Sequence, residues 1–229
     1  MKLLDLRESF RKVIENYTIK HKVYGVGSNY LYGDNYNNEN EQLIRILHKL
    51  IPIIKKHPEF FIDKSVLDFG CGTGEHTYFL SKYVDTIDCF DPQIIHYNWL
   101  NTMFKSSNII NVLKDKEYLE KHYDTIIIIG VLQCIEDYKL WLLNFIDTMH
   151  FDTLILCFSS GKTYSHINSG RCLRNTRLYD NNMNDTTVYE EEVFKGTHKL
   201  KLLDSYYKYI PRSSISPSSF KECVHFYQR

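Results

Sequence analysis

The residues best suited to chemistry lie together at positions 66–80, VLDFGCGTGEHTYFL. An apolar run ends at Asp68 and Phe69, and Gly70, Gly72 and Gly74 then fall at every second position before a helical pattern opens. Glycines in such a turn permit positive φ and let a ligand approach the backbone closely. The amino end of the following helix offers free N–H groups to an anionic ligand group. A second apolar run, TIDCF, finishes about 20 residues further on at Asp91, where a carboxylate can accept both hydroxyls of a ribose. The GxGxG spacing alone is weak, because nicotinamide dehydrogenases use GxGxxG at the same place. Here Glu75 stands where that pattern wants its third glycine. The alternative without a ligand is a tight strand-to-helix connection.

These residues need a sheet to hold them, and the surrounding pattern supplies one. From Ser65 onward short apolar runs (SVLDF, TIDCF, IINVL, YDTIIIIG, DTLILCFS) alternate with the helical stretches GEHTYFLSKY, PQIIHYNWLNTMF and DYKLWLLNFIDTM. TIIIIG and LILCF are almost continuously apolar, as strands covered on both faces are. Strand–helix alternation with right-handed crossovers predicts an α/β, doubly wound, mostly parallel sheet of seven strands. KLKLLDSYYKYI and SSFKECVHFYQR complete it as an antiparallel C-terminal hairpin at the edge. Upstream, Leu3, Leu6, Phe10, Val13, Ile14 and Tyr17 recur at helical intervals, and Leu43–Ile54 carries a second helical pattern interrupted at Pro52. The chain is expected to be one domain over 1–229. Residues 1–62 form a helical cap or lid, and 63–229 form the core, with a polar insertion near 161–197.

On these motifs the sequence resembles the class I S-adenosylmethionine-dependent methyltransferases over roughly residues 65–160. The family's first motif is matched by Val66, Leu67, Asp68, Gly70, Gly72 and Gly74, its second-strand acid by Asp91, and its fourth-strand motif by Asp124 followed by the apolar run to Gly130, Val131, Leu132 and Gln133. The resemblance implies a Rossmann-like fold and S-adenosyl-L-methionine as cofactor, leaving as S-adenosyl-L-homocysteine. It further implies that Asp68, Gly70, Cys71, Gly72, Thr73 and Gly74 hold the methionine end, Asp91 and Pro92 the ribose, and Gly130 and Val131 the floor beneath the methyl group. An acid after the third strand contacts adenine in the family. Asp115 in NVLKDKEY is the candidate, on a connection shorter than the family pattern.

Methyl transfer from a sulfonium is an in-line displacement, so the protein mainly aligns the reactants, with a base where the acceptor carries a proton of high pKa. His76 follows the glycine turn, His96 follows Asp91, and His166 lies beyond the fifth strand. His166 and His76 are the candidate catalytic residues. Each also reads as an ordinary surface or packing histidine. Lys162, Arg171, Arg174 and Arg177 gather without an acid until Asp180, and the arginines recur at every third position, a spacing suited to phosphate on one helical face. A solvated basic loop is the alternative. Tyr30 and Tyr36 belong to a Tyr-rich stretch at the position of the family's lid, and Gly130-Val131-Leu132-Gln133 stands where many family members carry the Asn/Asp-Pro-Pro-aromatic signature of exocyclic and amide nitrogen methylation. The candidate substrate-binding residues are therefore Tyr30, Tyr36, Gln133, Lys162, Arg171 and Arg174. The expected reaction is O-methylation of a small, anionic or sugar-containing acceptor. RNA, at a terminus or cap, is the alternative acceptor, and a non-catalytic cofactor-binding scaffold is the alternative of another class.

Composition narrows the partners. With 28 Lys and Arg against 28 Asp and Glu the net charge is zero, so no whole-molecule field draws the chain onto nucleic acid or an anionic membrane. No apolar run approaches the roughly 18–20 residues of a membrane span, and the first residues lack the apolar core of a secretory signal. A cytoplasmic protein without a membrane partner is expected. The six cysteines are scattered singly, with no CxxC pair and no Cys/His set at zinc-ligand spacing, so they read as buried free thiols and no metal is expected.

Overall fold

The computed structural model describes residues 49–160, 188–210 and 220–229. Five strands run parallel: β1 (Ser65–Phe69), β2 (Thr86–Phe90), β3 (Ile110–Val112), β4 (His122–Ile129) and β5 (His150–Ser160). β6 (Lys201–Ile210) and β7 (Phe220–Gln228) pair antiparallel, and the sheet order is β3-β2-β1-β4-β5-β7-β6. The expected doubly wound α/β sheet of seven strands with an antiparallel C-terminal hairpin is what forms. β6 takes the edge, and β7 inserts between β5 and β6.

The apolar runs are continuous because both faces of the sheet are covered. Ile127 faces one core and its neighbours Ile126 and Ile128 the other, and all three are buried. One face packs under α1 (Ile51–Lys56), α2 (Glu75–Leu80) and α3 (Ile94–Phe104), which contribute Ile53, Leu80, Trp99, Leu100 and Phe104. The other packs under α4 (Tyr138–Thr148) and α5 (Glu190–Gly196) through Leu142, Phe145, Ile146 and Val193. Pro52 sits where a π-helical turn at 49–50 passes into α1, the kind of break in regular helical hydrogen bonding that proline imposes. Asp137 caps α4 by accepting the Leu140 N–H at 3.1 Å. At the other end of that helix Arg229 donates to the carbonyls of Ile146 and Met149, so the end of β7 closes the orphan carbonyls of α4.

Within the sheet, Asp88 of β2 is buried yet accepts from Lys121 Nζ (2.7 Å), the Tyr123 hydroxyl (2.8 Å) and Asn111 Nδ2 (2.9 Å), so its desolvation is offset by three donors. The order reverses at β1, which has β2 on one side and β4 on the other. Open α/β sheets bind ligands in the crevice at the carboxyl ends of the strands flanking such a reversal. The glycine turn after β1 lies there.

Candidate active site

The turn leaving β1 is braced from two sides. The Gly70 and Cys71 N–H groups both donate to the Phe90 carbonyl, at 2.7 and 3.1 Å, tying the turn to the end of β2. Gly70 has φ +74, and a Cβ there would lie 2.3 Å from Val131 Cγ2, so only glycine lets the turn after β4 approach this closely. Gly72 also has a left-handed φ, +58, but a Cβ on it would meet nothing within 4 Å: this stretch of backbone faces open space. Trp99 Nε1 donates to the Thr73 carbonyl at 3.0 Å, Thr73 donates through Oγ1 to Glu75, and Gly74 is buried against Leu100. Cys71 is buried beside Cys89, and burial pushes its thiol well above the ordinary range, away from reactivity.

Asp91 gathers more partners than sequence reasoning assigned to it. Its Oδ2 accepts the Gly72 N–H at 3.0 Å, and its Oδ1 accepts the Gln93 N–H at 2.9 Å and His96 Nδ1–H at 2.6 Å. Burial raises its pKa to about 6 against the pull of the two backbone donors. His96 is buried as well, and burial lowers its ring to about 4. Burial thus works against charge on both members of this close pair, and the imidazole donates to the carboxyl group. An ionised carboxylate has about four acceptor positions, of which three are taken, leaving one on Oδ2. A ribose hydroxyl donating to Asp91 would thus find Oδ2 the less occupied of its two oxygens. Within the turn the Gly70, Cys71, Gly72 and Gly74 N–H groups donate inside the protein, so an anionic ligand group is left to the amino end of α2 rather than to the turn itself.

Asp68, at the end of β1, is buried and accepts the Thr77 hydroxyl at 2.6 Å. Burial raises its pKa to about 7; the Thr77 hydroxyl opposes this, and the neighbouring charges of Glu75 and Asp91 add to it. Three carboxyl groups thus crowd one turn.

The remaining candidates spread along the same edge. Pro92 is exposed beside Asp91, and Asp115 is exposed on the turn after β3 with φ +51. Gly130 has φ +70, donates its N–H to the Cys157 carbonyl, and lies against the Gln133 side chain; Val131 covers Gly70. His76 is half-buried at the second position of α2. His166, Tyr30, Tyr36, Lys162, Arg171 and Arg174 lie outside the described residues. Sequence reasoning gave no part to Trp99, which belongs to no motif, or to Thr77, which falls past the last glycine of the turn. Their spacing on α3 and α2 would have signalled only that they face the sheet.

A family model described as a methyltransferase domain matches residues 36–182. The chain belongs to the methyltransferase-domain family. Its cofactor is S-adenosylmethionine, as expected from Asp68, the glycine turn and Asp91. Solved structures share the methyltransferase's fold at low identity. A SAM-dependent methyltransferase from Anabaena variabilis ATCC 29413 aligns at TM-score 0.64 with 11% identity, over 81% of this chain and 85% of that one. Magnesium protoporphyrin IX methyltransferase (ChlM) from Synechocystis PCC 6803 with bound SAH aligns at 0.61 with 14% identity, over 98% and 99%. A cyclopropane-fatty-acyl-phospholipid synthase-like protein from Lactobacillus casei ATCC 334 aligns at 0.58 with 11% identity, over 84% and 93%. No curated protein matches the methyltransferase in sequence. Among the described residues, no helix is long and apolar enough to cross a membrane.

Proposed function

We propose that this methyltransferase holds its cofactor over the turn 70–74 and against Asp91, and transfers the methyl group to an oxygen of a small, anionic or sugar-containing acceptor. The observation that carries the cofactor placement is the open face of Gly72 beside the remaining acceptor position of Asp91 Oδ2. The donor set suits the group: Asp68, Glu75 and Asp91 crowd three carboxyl groups at one turn, their mutual repulsion is relieved by a cation, and S-adenosylmethionine is a sulfonium carrying an ammonium. Bound there, it supplies a methyl group already activated for in-line displacement.

The chain's own residues then have positioning roles. Asp91 accepts a ribose hydroxyl and is held in place for this by Gly72, Gln93 and His96. Thr77 fixes the Asp68 carboxyl, and Trp99 fixes the Thr73 carbonyl, so the turn keeps its shape when the ligand leaves. Gly130 and Val131 form the floor next to the turn, and Asp115 reaches toward the adenine end. His166 or His76 takes the acceptor's proton, with Tyr30, Tyr36 and Gln133 walling the acceptor and Lys162, Arg171 and Arg174 receiving its anionic group. The chain acts as one cytoplasmic domain in which residues 1–62 close over the core.

Transfer of label from methyl-labelled S-adenosylmethionine into small-molecule, RNA and protein pools of a cell extract tests the acceptor class. Label in the small-molecule pool, reduced by charge reversal at Arg171 and Arg174 with cofactor affinity retained, is the expected outcome. Label released by RNase would transfer the arginine segment to an RNA terminus. Binding of S-adenosylhomocysteine with no label in any pool would make the chain a scaffold.

A further inference from the structure

The antiparallel end of the sheet carries a cluster of side chains that methyl transfer does not use. β7 alternates across the sheet: Val224 and Phe226 enter the core beneath α1, α2 and α3, whereas Cys223 and Tyr227 enter the core shared with α4 and α5. His225 lies on this second face too, edge-on to Phe158 (5.2 Å between ring centres) and stacked on Phe194 of α5 (4.9 Å). Cys223 and His225 are fully buried. Glu190, the first residue of α5, points at them: His225 Nε2 lies 3.0 Å from Glu190 Oε1, and one ligand atom from each of Glu190, Cys223 and His225 falls within 4.8 Å of the others.

A thiol, an imidazole and a carboxylate converging on one point are the donors of a borderline-soft divalent ion. With zinc bonds of about 2.0–2.3 Å, the edges of a tetrahedral site are roughly 3.3–3.8 Å, so the observed spacing needs only side-chain adjustment. Outer contacts are in place as well. Tyr227 Oη lies 2.9 Å from His225 Nδ1, where it can receive the Nδ1 proton and leave the Nε2 lone pair facing Glu190. The Tyr207 hydroxyl donates to Glu190 Oε1 at 2.5 Å and orients that carboxylate. The aromatic walls keep water off the buried side, while the Glu190 side chain keeps 17% of its surface exposed and leaves an entry path.

We propose that Glu190, Cys223 and His225 bind a zinc ion, with water in the fourth position. Binding releases the Cys223 thiol proton to solvent, shifts the imidazole proton from Nε2 to Nδ1 where Tyr227 Oη accepts it, and exchanges the His225–Glu190 contact for two metal bonds. The ion fastens the start of α5 to β7. Val188, just before α5, pairs with Ser160 at the end of β5, so the site pins α5 next to a bridge to the sheet. Sequence spacing alone hides the set, because only Cys223 and His225 are close in the chain and a Cys-x-His pair is no zinc motif by itself.

The test is titration of the metal-free full chain with cobalt(II), followed by displacement with zinc. One equivalent of cobalt should produce a thiolate-to-metal charge-transfer band and tetrahedral visible bands, both removed by one equivalent of zinc. Cys223→Ser should abolish the charge-transfer band. Glu190→Gln, at a partly exposed helix start, should keep the fold and the band while weakening zinc affinity more than roughly tenfold. Affinity for S-adenosylhomocysteine should stay unchanged in Glu190→Gln. No saturable one-to-one binding, a band that survives Cys223→Ser, or full zinc affinity in Glu190→Gln would overturn the site and leave a His–carboxylate hydrogen bond only.

Discussion

Asp91 Oδ2 accepts the Gly72 N–H at 3.0 Å, so the acid that ends β2 is fastened to the turn that ends β1. The two ends of the candidate cofactor site are thereby one rigid unit, with His96 and the Gln93 N–H fixing the other oxygen. A carboxylate held by three donors loses little further freedom when a ligand arrives, which favours tight binding.

Asp91→Ala removes both the brace and the acceptor. Affinity for S-adenosylhomocysteine should fall by roughly 1.5–3 kcal/mol, the range for a hydrogen bond to a charged group. Isothermal titration calorimetry reads this directly, and an unaltered Kd would place the ribose elsewhere.

The two glycines predict opposite separations of folding from binding. Gly70→Ala meets Val131 Cγ2 in a left-handed conformation, so stability should drop by about 2–4 kcal/mol, from the conformational cost together with overpacking. Part of that loss should return in the double variant with Val131→Ala. Gly72→Ala meets no neighbour and should cost only about 1–2 kcal/mol of stability, yet place a methyl group in the space assigned to the cofactor. Urea midpoints and binding curves measured on the same variants separate the effects. Normal cofactor affinity in Gly72→Ala would remove the ligand from this backbone face.

Acidity acts on stability and on binding with opposite signs. Burial raises Asp68 to about 7 and Asp91 to about 6, above the carboxylate value of 3.8. A carboxyl raised in the folded state favours folding while protonated. That contribution is complete below the unfolded pKa and disappears as pH rises through the folded one. The ligand-free protein should therefore lose stability from these groups as pH climbs from about 4 to about 7, and Asp68→Asn should flatten the thermal midpoint over that window. Cofactor affinity should instead weaken below about pH 6, as Asp91 gains a proton and can no longer accept as an anion. Midpoints that fall equally in the wild type and in Asp68→Asn would separate the pH response from Asp68.

Trp99→Phe keeps the ring in the core and deletes the donor to the Thr73 carbonyl. Stability should fall by about 0.5–1.5 kcal/mol, with a weaker Kd for S-adenosylhomocysteine and faster amide exchange confined to residues 71–75. Unchanged exchange there would show that the turn is held without Trp99.

Much of the fold was written in local pattern. The apolar runs that became β1, β2, β4 and β5, the breaks at Gly70 and Gly130, and the motif from Asp68 to Gly74 depend on neighbours in the chain, and these led to the sheet and the family. What each motif residue touches was not local. The Asp91–Gly72 bond joins two strand ends, Trp99 reaches Thr73 from another helix, and Val131 demands a glycine at 70 from across the sheet. β7 lies inside β6 because its Val224 and Phe226 on one face and Cys223 and Tyr227 on the other fill both cores, whereas an edge strand would leave one side of its ladder unpaired. The meeting of Glu190 with Cys223 and His225 was likewise decided only when α5 packed on that strand. Sequence periodicity sets which face of an element is buried; which side chains meet across that face depends on packing among elements far apart in the chain.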